Sequence, residues 1–136
     1  MAMELMSPAG SMEGIIAAVR GGADAVYFGY GNFNARRNAK NFSEEEAAAA
    51  VSYCHLRGCK VNLTLNTLLT DRELPGAAEV AAHANAIGID AVIVQDLGVL
   101  HIIREYFPGL LPNYCVISKT STDYLLFFTL YQPIPS

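Results

Sequence analysis

The side chains best placed to do chemistry in this sequence come directly after two predicted strands. Asn66 follows Lys60–Leu65, and Gln95 and Asp96 follow Ala91–Val94. A short run such as Ala91–Val94, apolar on both faces and rich in β-branched residues, is typical of a strand buried in a parallel sheet. In such sheets the groups that bind and react lie where a strand ends and the next helix begins. We therefore expect Asn66, Gln95 and Asp96 to share one face of the protein.

Two of these residues have more than one interpretation. Asp96 can act as a general base, orient a substrate, or cap the helix that opens at Leu97, because Asp is a preferred N-cap residue. Asn66 can bind a ligand, or it can satisfy backbone groups at the end of its strand. We treat Asp96 and Asn66 as candidate catalytic residues, and both of them, together with Gln95, as candidate substrate-binding residues.

Arg36 is the remaining candidate for substrate binding. It lies in a long polar segment, Tyr30–Phe42, and loops of this length between a strand and a helix tend to be functional. A guanidinium group is suited to bidentate binding of a carboxylate or a phosphate. The alternative is a solvated loop charge. The same predicted face also contains Ser7, Tyr30 and Thr67.

A repeated phrase indicates how these residues are positioned. Gly22–Val26 and Gly88–Val92 match in four of five positions, and Gly58–Val61 makes the same change from a helix-ending glycine to a strand. The chain is therefore a series of βα units. The pattern predicts strands near residues 3–7, 24–29, 60–65 and 91–94, each followed by a helix, the last of which ends before Pro108-Gly109.

Four βα units predict an α/β fold built on a parallel sheet. A closed TIM-type barrel of eight such units typically needs roughly 250 residues, so residues 1–110 are predicted to form about half of one. A half-barrel leaves two strand edges unpaired, which predicts a homodimer formed through those edges. In residues 111–136 the βα pattern is lost, and we expect an irregular, divergent tail, as a shifted reading frame would produce.

Composition excludes several classes of protein. Hydrophobic residues make up 52% of the chain and charged residues 16%, which predicts a folded core. The net charge is −4, and the only basic cluster is Arg36-Arg37, which argues against a nucleic-acid-binding face. The apolar segments are short and no secretion signal is visible, so we expect a cytoplasmic protein without a membrane partner.

The cysteines and histidines do not form a predicted metal site. Cys54, Cys59 and Cys115 are too few and too unevenly spaced for a disulfide scaffold or a zinc site, so Cys54 and Cys59 are expected to be buried thiols. The three histidines fall on predicted helices, away from the strand ends, where packing or surface roles are expected. No catalytic triad order and no phosphate-binding glycine loop is present.

Five motifs, in order, resemble a known family, the collagenase-like peptidases of unassigned catalytic type (family U32). The resemblance covers about Met3 to Gly109. The motifs are Glu4–Ser11, Gly22–Gly29, the loop residues Phe33, Arg36, Ala39, Asn41 and Phe42, then Leu63–Thr67 and Val94–Gly98.

The resemblance implies a barrel-type catalytic domain and a peptidase that acts on peptide or protein substrates. It also implies an alternative, since relatives take part in hydroxylating RNA bases or ubiquinone precursors, and some carry an iron–sulfur cluster. The cluster cysteines of those relatives lie in a half that follows this one, and Cys115 alone cannot make a four-cysteine site. We therefore expect this segment alone to bind no metal or cluster. We expect a peptidase fragment that is inactive by itself; the third alternative is a non-enzymatic half-barrel that dimerises. Only the hydroxylation alternative implies a nucleic-acid partner.

Overall fold

The computed structural model describes residues 4–30, 42–66, 69–119 and 125–131. Strands and helices alternate along most of this length. The elements are β1 (Met6–Pro8), α1 (Met12–Arg20), β2 (Ala25–Phe28), α2 (Glu44–Leu56), β3 (Lys60–Leu65), α3 (Leu74–Ile87), β4 (Ala91–Val94), α4 (Leu97–Tyr106), β5 (Leu111–Lys119) and β6 (Leu125–Tyr131).

Local sequence signals set the ends of the helices. The Ser11 hydroxyl accepts a hydrogen bond from the Gly14 N–H and caps α1. Ser43 and Glu46 bond reciprocally at the start of α2, which is the capping box that the sequence predicts. Helix α3 ends at Gly88, whose φ of 89° is in the left-handed region that glycine adopts without a steric penalty.

The strands form one six-stranded sheet in the order of the chain. Strands β1 to β5 all run parallel to one another. The predicted α/β fold of parallel βα units is thus confirmed. The segment after Gly109, for which the pattern predicts an irregular tail, instead continues the sheet. Strand β5 pairs parallel with β4, and β6 returns antiparallel to β5. The edge of β4 offers unpaired backbone groups that β5 satisfies, whatever the side-chain pattern of β5. The predicted boundary at residue 110 stays a prediction.

The sheet has two chemically different faces. Successive residues of a strand point to opposite faces. One set, exemplified by Val26, Leu63 and Val94, packs with residues of the helices in a single apolar core. The other set points away from the helices, and we call this side the inner face. Register places Tyr27, Asn62 and Ala91 next to one another on the inner face.

The repeated phrase of the sequence lies at the opposite end of the strands from the candidate site. In each copy the Asp carboxylate accepts a hydrogen bond from a neighbouring strand: Asp24 Oδ2 from the Leu5 N–H at 2.8 Å, and Asp90 Oδ2 from the Val61 N–H at 2.7 Å. Asp90 Oδ2 also lies 2.8 Å from Nε2 of His55. The repeat therefore joins strands at their amino ends, which is a structural role.

Within the described ranges, no helix is both long and apolar enough to cross a membrane. Strand β1 lies at one edge of the sheet, next to β2 alone. Met6 of this strand and Leu5, which precedes the strand, are exposed. Association of two copies through this edge stays a prediction.

Candidate functional site at the carboxyl end of the sheet

The ends of β3 and β4 bring two of the predicted site residues together. Leu65 pairs with Val94, so Asn66 and Gln95, the residues that follow them, lie side by side at the carboxyl end of the sheet. Asn66 is buried, with 7% of its surface exposed, and makes polar contacts within the protein, whereas Gln95 is half-buried. Arg36 and Thr67 lie outside the described residues, so the predicted role of Arg36 stays a prediction.

Asp96 is held in place through both of its carboxylate oxygens. Oδ1 accepts a hydrogen bond from the Val99 N–H at 3.1 Å, which caps α4, and Oδ2 accepts one from the Leu69 N–H at 3.0 Å. The helix-cap interpretation of Asp96 is therefore confirmed. The second bond fixes the start of the segment between β3 and α3 against the end of β4. The carboxylate is engaged with backbone groups, and its action on a substrate stays a prediction.

The position of Gly98 explains why a glycine follows Asp96 and Leu97 in the motif after β4. A methyl group at this position would lie 2.9 Å from Oδ1 of Asp96 and 3.3 Å from Cδ2 of Leu74. The first distance is shorter than real contacts allow, so a side chain at this position would force the capping carboxylate of Asp96 to shift. The turn Gln95–Gly98 thus combines three features. Asp96 caps α4 and bonds the Leu69 N–H, and Gly98 allows a close approach to Leu74 of α3.

A column of polar side chains runs along the inner face of β3. Asn62 and Thr64 alternate with the core residues Val61, Leu63 and Leu65, and the same alternation continues to Asn66. Barrel interiors are usually filled by bulky apolar side chains, so the amides and the hydroxyl on this face are candidates for binding a ligand. Asn62 was not among the site residues predicted from the sequence. The period-two pattern of polar residues within Lys60–Leu65 was the signal that could have found it.

Tyr30 follows β2 but faces the helices. Its ring is buried, and its hydroxyl lies 2.9 Å from Nδ1 of His83 on α3, with the Val80 carbonyl at 3.4 Å. Burial, and then the negative charge of Glu44, raise the pKa of the Tyr30 phenol far above its ordinary value. The expectation that Tyr30 belongs to the polar strand-end face is therefore wrong, because the buried phenol finds its partners in α3.

The described residues do not fit a metal ion or an iron–sulfur cluster. No group of three or more His, Cys, Asp or Glu side chains comes together in this part of the chain. Cys54 and Cys59 are buried free thiols at the end of α2 and the start of β3, which is the opposite end of the sheet from Asn66.

The fold resembles that of a solved TIM-barrel enzyme. The chain superposes on phosphoribosylanthranilate isomerase from Thermotoga maritima with a TM-score of 0.61, and the match covers 89% of this chain and 57% of that one. The two sequences are 16% identical, so this likeness concerns the fold alone.

Three curated relatives share much more of the sequence. An uncharacterized protease of Methanocaldococcus jannaschii is 41% identical over 76% of this chain and 25% of its own length. A 23S rRNA 5-hydroxycytidine synthase of Escherichia coli is 43% identical over 74% of this chain and 15% of its own length. A collagenase of Porphyromonas gingivalis is 36% identical over 75% of this chain and 25% of its own length. The chain thus spans a quarter or less of these relatives.

The family model described as peptidase family U32 matches residues 10–118. This match extends past Gly109, where the visible motifs end, and includes nearly all of β5. It confirms the resemblance to this family that the five sequence motifs indicate. The chain belongs to peptidase family U32.

Proposed function

We propose that this chain supplies the base-binding surface of an RNA-hydroxylating protein of the family. The observation that carries the proposal is the polar column of β3, which is formed by Asn62, Thr64 and Asn66. Gln95 lies beside Asn66, at the carboxyl end of this column. Every member is an amide or a hydroxyl. The nearby carboxylate of Asp96 is engaged with two backbone N–H groups, so the column offers neutral groups to a ligand.

Neutral amides and hydroxyls suit a nucleobase. Each amide both donates and accepts hydrogen bonds, as the edge of a base does. Proteins that recognise single RNA bases bind their edges with such groups and stack aromatic side chains on their faces. Contacts to phosphate position RNA without reading its sequence, and the net charge of −4 argues against such contacts in this segment, so the proposal rests on contacts to the base alone.

The relatives support this choice. The Escherichia coli relative, 43% identical, is named for making 5-hydroxycytidine in 23S rRNA. Proteins named for tRNA hydroxylation in Bacillus subtilis and Escherichia coli are 31% and 30% identical over about three quarters of this chain. The hydroxylation itself would draw on groups outside the described residues, and this chain would bind and orient the base.

A peptidase is the second candidate, because two of the relatives are named protease and collagenase. A peptide backbone also presents alternating donors and acceptors to an amide column. Under this reading Asn66 and Gln95 bind the main chain of a peptide, and Arg36 binds a carboxylate of the substrate. The described residues contain no nucleophile within hydrogen-bond reach of a base at the carboxyl end of the sheet, so the first proposal explains the geometry better.

Deletion of the encoding gene separates the two proposals. Ribosomal and transfer RNA from the deletion strain would be digested to nucleosides and analysed by mass spectrometry for hydroxylated pyrimidines. Loss of one hydroxylated nucleoside, restored by the wild-type gene and not by Asn66→Ala or Gln95→Ala, would support the first proposal. The matched control is Asn85→Ala, on the exposed surface of α3. An unchanged set of nucleosides, together with cleavage of gelatin by the purified protein, would favour the peptidase.

A further inference from the structure

We infer that Asn62 binds the hydrogen-bonding edge of a pyrimidine base. Asn62 is the innermost member of the polar column, the one farthest from the carboxyl end of the sheet. This inference rests on the proposed function and adds the residue that would set its specificity. It starts from the side-chain amide of Asn62, which is buried although its hydrogen-bonding capacity is largely unused. Asn62 is 4% exposed, as buried as the apolar residues around it.

The hydrogen bonds of Asn62 are incomplete. Its Nδ2 donates to the thioether sulfur of Met6 at 3.7 Å, and sulfur of this kind is a weak acceptor. Its carbonyl oxygen has no hydrogen-bond partner among residues 4–30, 42–66, 69–119 and 125–131. Buried polar side chains in native proteins nearly always have partners, and an exception calls for an explanation such as a missing ligand.

Asn62 is covered by its neighbours, so a ligand reaches its amide by displacing the side chain of Met6, which is 38% exposed. In the sheet register Asn62 lies between Tyr27 on β2 and Ala91 on β4. Ala91 contributes only a methyl group, and half-buried Tyr27 is the aromatic residue next to Asn62 in the register. A planar ligand can stack on such a ring while its edge meets the amide.

The position of Asn62 along β3 sets the direction of binding. Alternate residues of a strand are about 6.6 Å apart, so Asn62, Thr64 and Asn66 form three steps from the interior to the carboxyl end of the sheet. A nucleoside that enters base first passes Asn66 and Thr64 before its base reaches Asn62. The outer polar groups then face the sugar, and the innermost amide faces the base.

The chemistry of the amide fits the edge of a nucleobase, and the choice of a pyrimidine follows the relative named for 5-hydroxycytidine. A carbonyl oxygen beside an N–H₂ group matches an edge that carries a donor next to an acceptor, as on the pairing edges of uracil and cytosine. The weak bond to Met6 is readily exchanged for a stronger one to a base. A charged edge is disfavoured, because the buried amide offers no opposite charge.

The test is a binding titration of the purified chain, followed by NMR, with uridine and cytidine as probes. We expect 3-methyluridine, whose N3 cannot donate, to bind about tenfold or more weakly than uridine. The same loss is expected for uridine on Asn62→Leu, an apolar replacement of similar volume. Binding to Asn85→Leu, a variant of an exposed residue of α3, should equal that to the wild type.

The outcomes distinguish this inference from the proposed function. If 3-methyluridine binds as tightly as uridine, Asn62 does not read the base edge, and this result needs no folded variant. If nucleosides bind and Asn66→Ala weakens them while Asn62→Leu does not, the inference is overturned and the proposed function stands. If neither uridine nor cytidine binds the wild-type chain, both are overturned.

Discussion

The carboxylate of Asp96 accepts a hydrogen bond from the backbone N–H of Leu69, which lies 3.0 Å from Oδ2. The other oxygen, Oδ1, holds the Val99 N–H at the start of α4. One side chain therefore fixes both a helix terminus and the segment that follows β3. The second bond joins Leu69, three residues after Asn66, to the turn that follows the neighbouring strand.

Substitutions at Asp96 should separate the two bonds. Asp96→Ala removes both and should lower the free energy of unfolding by about 1–2 kcal/mol, mostly through the lost cap. Asp96→Ser retains a capping oxygen and should cost only a few tenths of a kcal/mol, as estimated roughly from cap preferences. Both variants should speed hydrogen exchange of the Leu69 amide. Urea denaturation and native-state exchange check these outcomes, and equal stability of the two variants would contradict the assignment of the cap.

Gly98→Ala should destabilise the protein, against the usual preference for alanine in helices. The added methyl would lie 2.9 Å from Oδ1 of Asp96, so the cap must shift, and we expect a loss of about 1 kcal/mol. The matched control is Gly14→Ala in α1, where the nearest atom would be the Ser11 hydroxyl at an ordinary 3.5 Å. That variant should gain up to about 1 kcal/mol from helix propensity. Thermal and urea unfolding of both variants measure the contrast, which disappears if the cap of α4 is loose.

Short-range sequence signals predict most of the fold. Ser11, Ser43 and Gly88 act through their own neighbours in the chain, and the structure has each helix end where they place it. Strand β5 was harder to predict, because no helical pattern follows it as one follows each of β1 to β4; the antiparallel strand β6 follows it instead.

The candidate site shows the same division. The strand ends predict that Asn66 and Gln95 lie together, since the topology of a parallel sheet brings them there. The orientation of Tyr30 depends on His83, which is 53 positions away in sequence, so its neighbours in the chain could not reveal it. Asn62 was overlooked because it lies inside a strand, whereas functional groups were expected only where the strands end.

Tyr30→Phe should destabilise the protein by about 1–2 kcal/mol, because the partners of the buried hydroxyl lose a hydrogen bond. The contact with Nδ1 of His83 is 2.9 Å long and joins the end of β2 to α3. A double-mutant cycle with His83→Leu should give a coupling energy of about 1 kcal/mol. Additive effects of the two substitutions would show that the contact contributes nothing to stability.

The two aspartates of the repeated phrase should contribute alike. Asp24→Ala and Asp90→Ala each remove the acceptor for a backbone N–H of a neighbouring strand, at 2.8 and 2.7 Å. We expect a loss of about 1–2 kcal/mol from each, and the larger loss from Asp90, which also contacts His55. Asp71→Ala, in an exposed turn, is the control and should be nearly neutral. Urea denaturation orders the three variants, and a neutral Asp90→Ala would refute the structural role of the repeat.

Stability should fall at alkaline pH through the thiol of Cys54. Burial, and then the neighbouring Cys59, raise the pKa of Cys54 from its ordinary 9.0 to about 12. The unfolded chain releases this proton near pH 9, whereas the folded protein retains it, so the contribution is complete below pH 9 and is lost between pH 9 and about 12.

Cys54→Ala should therefore flatten the pH profile. Between pH 7.5 and pH 10 the wild type should lose about 1.4 kcal/mol more stability than this variant, which is the effect of one group one pH unit above its unfolded pKa. Tyr30, whose pKa is also raised by burial, adds a further loss above pH 10 in both proteins. The matched control is Val51→Ala, because Val51 is buried on the same helix and has no ionisable group. This variant should keep the wild-type slope of stability against pH. Urea denaturation across the pH range measures the slopes, and parallel profiles for the wild type and Cys54→Ala would show that the thiol does not titrate on unfolding.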